Sequence, residues 1–197
     1  MPPGVIALTG FMGSGKSTVG KMLAERLGCP FTDLDEAVEQ AAGKSVAQIF
    51  AEDGEEAFRE LEITALERIL RDTPRYAGEP AGRAASGKEP RQGLVLALGG
   101  GTVMQPQARR LLEGRCICIY LKAGVDTLLE RMEAPGAAGR PLLAGETDPG
   151  ALRARISALL AEREPVYSSA AGITVSVDGL QPGETVRRLE SIIDNFS

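Results

Sequence analysis

Two clusters in this 197-residue chain carry functional groups at spacings that chemistry uses. The first, Gly10-Phe-Met-Gly-Ser-Gly-Lys-Ser17, fits GxxxxGK[ST], the spacing of a loop that wraps the phosphates of a nucleotide. Its glycines let backbone N–H groups turn inward around phosphate oxygens, and a helix beginning inside the loop adds its dipole. Gly13, Ser14 and Gly15 supply amides, and Lys16 supplies a point charge on the β- and γ-phosphates. Ser17 is placed to put its hydroxyl on Mg²⁺, while Thr18 is a weaker phosphate contact or simply helix packing. The second cluster is Asp33-Leu-Asp35. If that segment stays extended, both carboxylates project the same way, one toward a metal and one toward a substrate hydroxyl. The plain alternative for either is a strand-end Asp capping the next helix. Beside the phosphate loop the pair gains meaning.

The elements needed to hold these groups are legible in the apolar pattern. Val5 to Leu8 reads as a buried strand, followed by the glycines and an amphipathic helix from Lys16 to Leu27 that stops at Gly28. A short strand at Phe31 to Leu34 precedes helical patterns at Glu36–Ala42, Ser45–Glu52 and Glu55–Leu70. Strands are expected again at Leu94–Leu98, Cys116–Leu121 and Ile173–Val177. Between and after them, helices are expected at Pro106–Leu112, Val125–Met132, Ala151–Glu164 (ending at Pro165) and Glu184–Ile193. Five apolar strands separated by helices describe an α/β fold, a parallel sheet flanked by helices on both faces. Ligands of such sheets bind beyond the carboxyl ends of the strands. That edge gathers the phosphate loop, the two acids and the triplet Gly99-Gly100-Gly101, which exposes backbone for close approach.

Composition removes several rivals. With 43% hydrophobic and 25% charged residues the chain falls among ordinary globular domains, and its length suits one domain over residues 1–197. The absence of histidine excludes Ser-His-Asp hydrolysis, Cys-His proteolysis and His-ligated zinc. A net charge of −5 argues against nucleic acid or an anionic membrane as partner, and no stretch has the roughly 20 apolar residues of a membrane span. A cytoplasmic monomer is expected. Cys116 and Cys118, two apart in an apolar run, are expected to pack on one face of a strand rather than bind metal.

Six motifs in order, GFMGSGKST, DLD, GExxFR (Gly54 to Arg59), LGGG (Leu98 to Gly101), RPLL (Arg140 to Leu143) and RxPxY (Arg163 to Tyr167), resemble the shikimate kinases. The resemblance spans nearly the whole chain except residues 74–93. It implies a P-loop kinase fold with a mobile lid, here 134–150, and transfer of the γ-phosphoryl group of ATP, with Mg²⁺, to the 3-hydroxyl of shikimate. It makes Asp35 the hydroxyl-binding group, a base or an orienting residue, and Asp33 a metal ligand acting through water. Arg59 and Arg163 become the grip on the substrate carboxylate, a task that guanidinium forks suit. Taken alone, either would be a solvated helix charge. Gly99, Gly100 and Gly101 would offer amides to the substrate, Gly100 above all. Arg140 would reach the γ-phosphate from the lid, and Arg131 would stack on adenine, unless it is a surface charge paired with Glu130.

Two features depart from the family pattern. The segment Val177-Asp-Gly-Leu-Gln-Pro182 is short and lacks an Arg near the adenine side. Residues 74–93, rich in Pro and Gly, read as a flexible surface insertion that activity does not need. Two other readings stay open: a kinase for another polyol acid such as gluconate, and a nucleotide-binding regulatory module without turnover.

Overall fold

The structure is a computed structural model that describes residues 4–73, 93–133 and 148–195. Arg140, most of the expected lid and the expected insertion apart from Gly93 lie outside the described residues.

The strands β1 (Val5–Thr9), β2 (Phe31–Asp33), β3 (Leu94–Ala97), β4 (Cys116–Lys122) and β5 (Ile173–Ser176) pair in parallel in the order β2-β3-β1-β4-β5. Their near-continuous apolar runs follow from coverage on both faces: β1 and β3 are buried along their whole length. The flanking helices are α1 (Lys16–Leu27), α2 (Leu34–Ala42), α3 (Val46–Glu52), α4 (Gly54–Asp72), α5 (Pro106–Leu112), α6 (Val125–Glu133), α7 (Pro149–Ala170) and α8 (Pro182–Asp194). Because β1 lies between β3 and β4, the loops after β1 and β3 leave the sheet side by side. Leu98 N–H donates to Leu8 C=O at 3.0 Å at that point.

Two sequence expectations need correction. The chain does not stay extended through Asp35: β2 ends at Asp33, which is the N-cap of α2, its Oδ1 accepting from the Asp35 N–H at 3.0 Å. The cap closes the strand early because an Asp in β conformation satisfies a free helical N–H at once. Asp35 therefore reaches the site from the first turn of a helix. The second correction is α7, which runs through Pro165 to Ala170 instead of stopping there. A proline inside a helix costs about 3 kcal/mol, and here the following turn is held by Tyr167, fully buried and stacked on Tyr120 at 5.2 Å between ring centroids.

The packing expected of the two cysteines agrees with the structure. Cys118 is buried and Cys116 half-buried, and burial pushes both thiols up to about 12, away from reactivity.

Candidate active site

The loops after β1, β2 and β3 open into one cleft of about 670 Å³. Its floor is the turn from Gly10 to Gly15. Gly15 stands at φ 93°, a left-handed conformation that lets the loop reverse into α1, so the helix amides start at Lys16. Gly13, Ser14, Gly15, Ser17 and Thr18 all border the cleft. The Lys16 ammonium folds back over the loop and donates to the carbonyls of Gly10 and Phe11 at 2.9 and 3.0 Å, which aims a positive charge across the cradle.

Ser17 and Asp33 meet directly, the hydroxyl donating to Asp33 Oδ2 at 2.6 Å. Asp33 thus serves two readings at once, one oxygen capping α2 and the other beside Ser17. Among the described residues no group of three His, Cys, Asp or Glu forms a closed metal cage. A magnesium site beside phosphates does not need one, because Mg²⁺ keeps most of its waters and takes only one or two protein oxygens. The hard oxygens of Ser17 and Asp33 fit that requirement.

Asp35 projects into the same cleft, and its carboxyl is pushed up to about 6. Burial is the main cause, Asp33 and Glu62 add to it, and Lys16 and Arg59 pull the other way. A carboxyl poised there can accept a proton near neutral pH.

On the far wall, α4 presents Arg59. Its Nη1 donates to Glu62 Oε2 at 2.7 Å and its Nη2 to Glu55 Oε1 at 3.1 Å. Glu55 is exposed, whereas Glu62 is wholly buried. Gly101 lies against this guanidinium so closely that a Cβ would stand 2.5 Å from Nη2. A Cβ on Gly99 would likewise stand 2.6 Å from Glu62 Oε1 and 2.8 Å from Asp35 Oδ1. At Gly99 and Gly101 a side chain would therefore crowd the charged groups of Glu62, Asp35 and Arg59, whereas at Gly100 it would meet the backbone of Met12 at 3.3 Å.

Arg163 arrives from α7, with Cζ 5.9 Å from the centroid of the Phe11 ring, and one of its buried nitrogens, Nη1, has no hydrogen-bond partner among the described residues. An unsatisfied guanidinium N–H at a cleft wall suits an incoming anion. One turn further on, the Tyr167 hydroxyl donates to the carbonyl of Gly100. Burial raises that phenol to about 12, so it remains a donor.

Arg131 stands at the opposite end of the cleft. It does not lie on the helix surface beside Glu130: Nη1 donates to the carbonyl of Ser14 at 3.0 Å, and Nη2 to those of Val177 and Leu180 at 3.2 and 3.5 Å. It ties the phosphate loop to the segment after β5, where Val177, Pro182 and Thr185 close the wall. Asp178 secures the same segment from the other side, accepting from Gly124 N–H at 2.8 Å.

The structure thus brings every sequence-predicted residue except Arg140, which is not described, to one cleft. Sequence reasoning missed Glu62, Thr102, Gln105 and the hydroxyl of Tyr167. Glu62 had a signal: it sits on the apolar stripe of α4, four residues after Phe58 and four before Leu66, where an acid must find partners.

Comparison with known proteins gives the same picture. The sequence pattern of the shikimate kinase family matches residues 12–76 and 85–194. A shikimate kinase of Chlorobium chlorochromatii is 40% identical, over 98% of this chain and 93% of that protein. A solved shikimate kinase from Acinetobacter baumannii, in complex with shikimate, superposes with a TM-score of 0.81 at 30% identity, covering 100% of this chain and 96% of that one. A gluconokinase from Sinorhizobium meliloti, 19% identical with a TM-score of 0.52 over 98% of this chain and 95% of its own, shares the fold alone.

Proposed function

The chain belongs to the shikimate kinase family, and on that premise we propose that it transfers the γ-phosphoryl group of ATP to the 3-hydroxyl of shikimate. The observation that carries this reading is the single cleft shared by the phosphate loop, Asp35 and the two guanidiniums of Arg59 and Arg163. In the proposed step the 3-hydroxyl oxygen bonds to the γ-phosphorus and the bond to the β,γ-bridging oxygen breaks. The products are 3-phosphoshikimate, ADP and the hydroxyl proton.

Transition states of phosphoryl transfer are loose, so catalysis rests on positioning and charge neutralisation. Amides from Gly13 to Thr18 and the Lys16 ammonium hold the phosphates. Arg59, Arg163 and the amides of Gly99 to Gly101 hold the acid and its ring. Asp35 orients the attacking hydroxyl and takes its proton. Ser17 and Asp33 would hold Mg²⁺, which would supply positive charge to the transferring phosphates. Arg131 borders the adenine side, and Arg140 is assigned to the γ-phosphate, where a donor stabilises developing charge.

A soluble monomer of the cytoplasm, with neither nucleic acid nor membrane as partner, suits the net charge of −5, and no described helix is long and apolar enough to cross a membrane. The test is ADP release from Mg-ATP with shikimate, quinate and gluconate in parallel. Release with shikimate alone supports the assignment. Preference for gluconate, or no release with any acid, overturns it in favour of another polyol-acid kinase or a nucleotide-binding module.

A further inference from the structure

Arg59 can grip an acid only if its own plane is fixed, and the fixing chain is longer than the pair it makes with Glu62. Glu55, on one side of the guanidinium, is exposed and competes with water for it. Glu62, on the other, has no exposed surface. A buried carboxylate held by a single partner is free to rotate, and rotation would release Arg59. Here both oxygens are engaged. Thr102 Oγ1 donates to Oε1 at 2.5 Å, and Gln105 Nε2 shares Oε2 with Arg59 at 2.7 Å. Thr102 opens the 3₁₀ turn Thr102–Met104 and Gln105 is the N-cap of α5, so both donors belong to the segment that leaves the glycine triplet.

We propose that Thr102 and Gln105 are positioning residues that set the affinity for the carboxylate of the acceptor substrate, acting through Glu62 on Arg59. The proposal rests on the functional reading above. Neither side chain borders the cleft and, among the described residues, neither is hydrogen-bonded to Arg59; the Thr102 hydroxyl also lies 3.1 Å from the Gly99 carbonyl, so Gln105 is the side chain whose effect travels through the Glu62 carboxylate alone. Two donors on two different oxygens fix the carboxylate plane, and the plane of the carboxylate fixes the guanidinium fork. The strand-end glycines and the acid grip thereby become one unit: the segment that offers amides to the ring also anchors the Arg that binds its acid.

The test compares Thr102→Val, which removes the hydroxyl at constant shape, with Thr102→Ser, which keeps it, and adds Gln105→Leu. Loss of one hydrogen bond to a charged group predicts a rise of about 5- to 30-fold in shikimate KM for Thr102→Val and Gln105→Leu. The ATP KM should stay within about twofold, and Thr102→Ser should stay near the unaltered enzyme, since it preserves the donor. Inhibition by methyl shikimate, which lacks the charge, should not weaken. Normal shikimate KM in Thr102→Val and Gln105→Leu overturns the proposal. So does a parallel rise in both KM values with a lowered melting temperature, which would make these residues merely structural. Failure of the unaltered chain to turn over shikimate overturns the functional reading itself.

Discussion

Ser17 and Asp33 lie sixteen residues apart in sequence and touch at 2.6 Å, hydroxyl to carboxylate. The contact holds two hard oxygens together beside the phosphate loop. Removing divalent metal with EDTA should abolish turnover, and added Mg²⁺ should restore it. Asp33→Asn should raise the Mg²⁺ concentration needed for half-maximal rate by about tenfold or more, the effect of weakening one hard ligand. An unchanged Mg²⁺ dependence would remove Asp33 from the metal site.

Arg59→Ala should raise the shikimate KM about 10- to 100-fold, the range for losing a charge-assisted pair. The ATP KM should barely move, because Arg59 stands on the wall of the cleft formed by α4. Steady-state kinetics with each substrate varied in turn makes the comparison, and equal rises in both constants would contradict the assignment.

Asp35 couples function to pH and stability. Its carboxyl lies at about 6 in the fold against an ordinary value of 3.8, so the folded state binds the proton more tightly than the unfolded chain. Stability from this group is therefore lost as pH rises through that window. Asp35→Asn should gain on the order of 1–3 kcal/mol at pH 7.5, and the gain should vanish below about pH 4. The same substitution should cost about 10²-fold in kcat. In the unaltered enzyme kcat/KM should fall as pH drops through about 6, when Asp35 takes up its proton.

Tyr167→Phe keeps the ring stacked on Tyr120 and removes only the donor to Gly100. The half-buried Gly100 carbonyl loses its partner, so the melting temperature should drop, and the shikimate KM should rise about three- to tenfold. A variant with altered melting but unaltered KM would show that the glycine loop holds its place without this tether.

The family pattern stops at residue 76 and resumes at 85, so it leaves out only 77–84 and corrects the expectation that all of 74–93 departs from the family. Replacing Ala77–Gln92 with a short Gly/Ser bridge should leave turnover largely intact, measured as kcat with both substrates saturating, and a tenfold loss would show that this segment takes part.

Much of this was readable from residue order because the three strands that lead into the site are short apolar runs followed at once by glycines or ending in an acid. Gly10 follows β1, Asp33 ends β2 and Gly99 to Gly101 lie just beyond β3. What escaped was set by tertiary contact. The extended reading of Asp33-Leu-Asp35 failed because a cap satisfied inside the motif turned the chain into α2 two residues early. The end expected at Pro165 failed because propensity knows nothing of the buried Tyr167 beyond it. Glu62, Thr102 and Gln105 assemble across 40 and 43 residues of sequence, a distance over which no local pattern speaks.

The hydrogen bond from Leu98 to Leu8 places the donor half and the acceptor half of the cleft on one rung of the sheet. Local fraying cannot part them while that rung holds. On heating, protection of the cleft by ATP and by shikimate should therefore disappear together, at a single temperature, instead of in two steps.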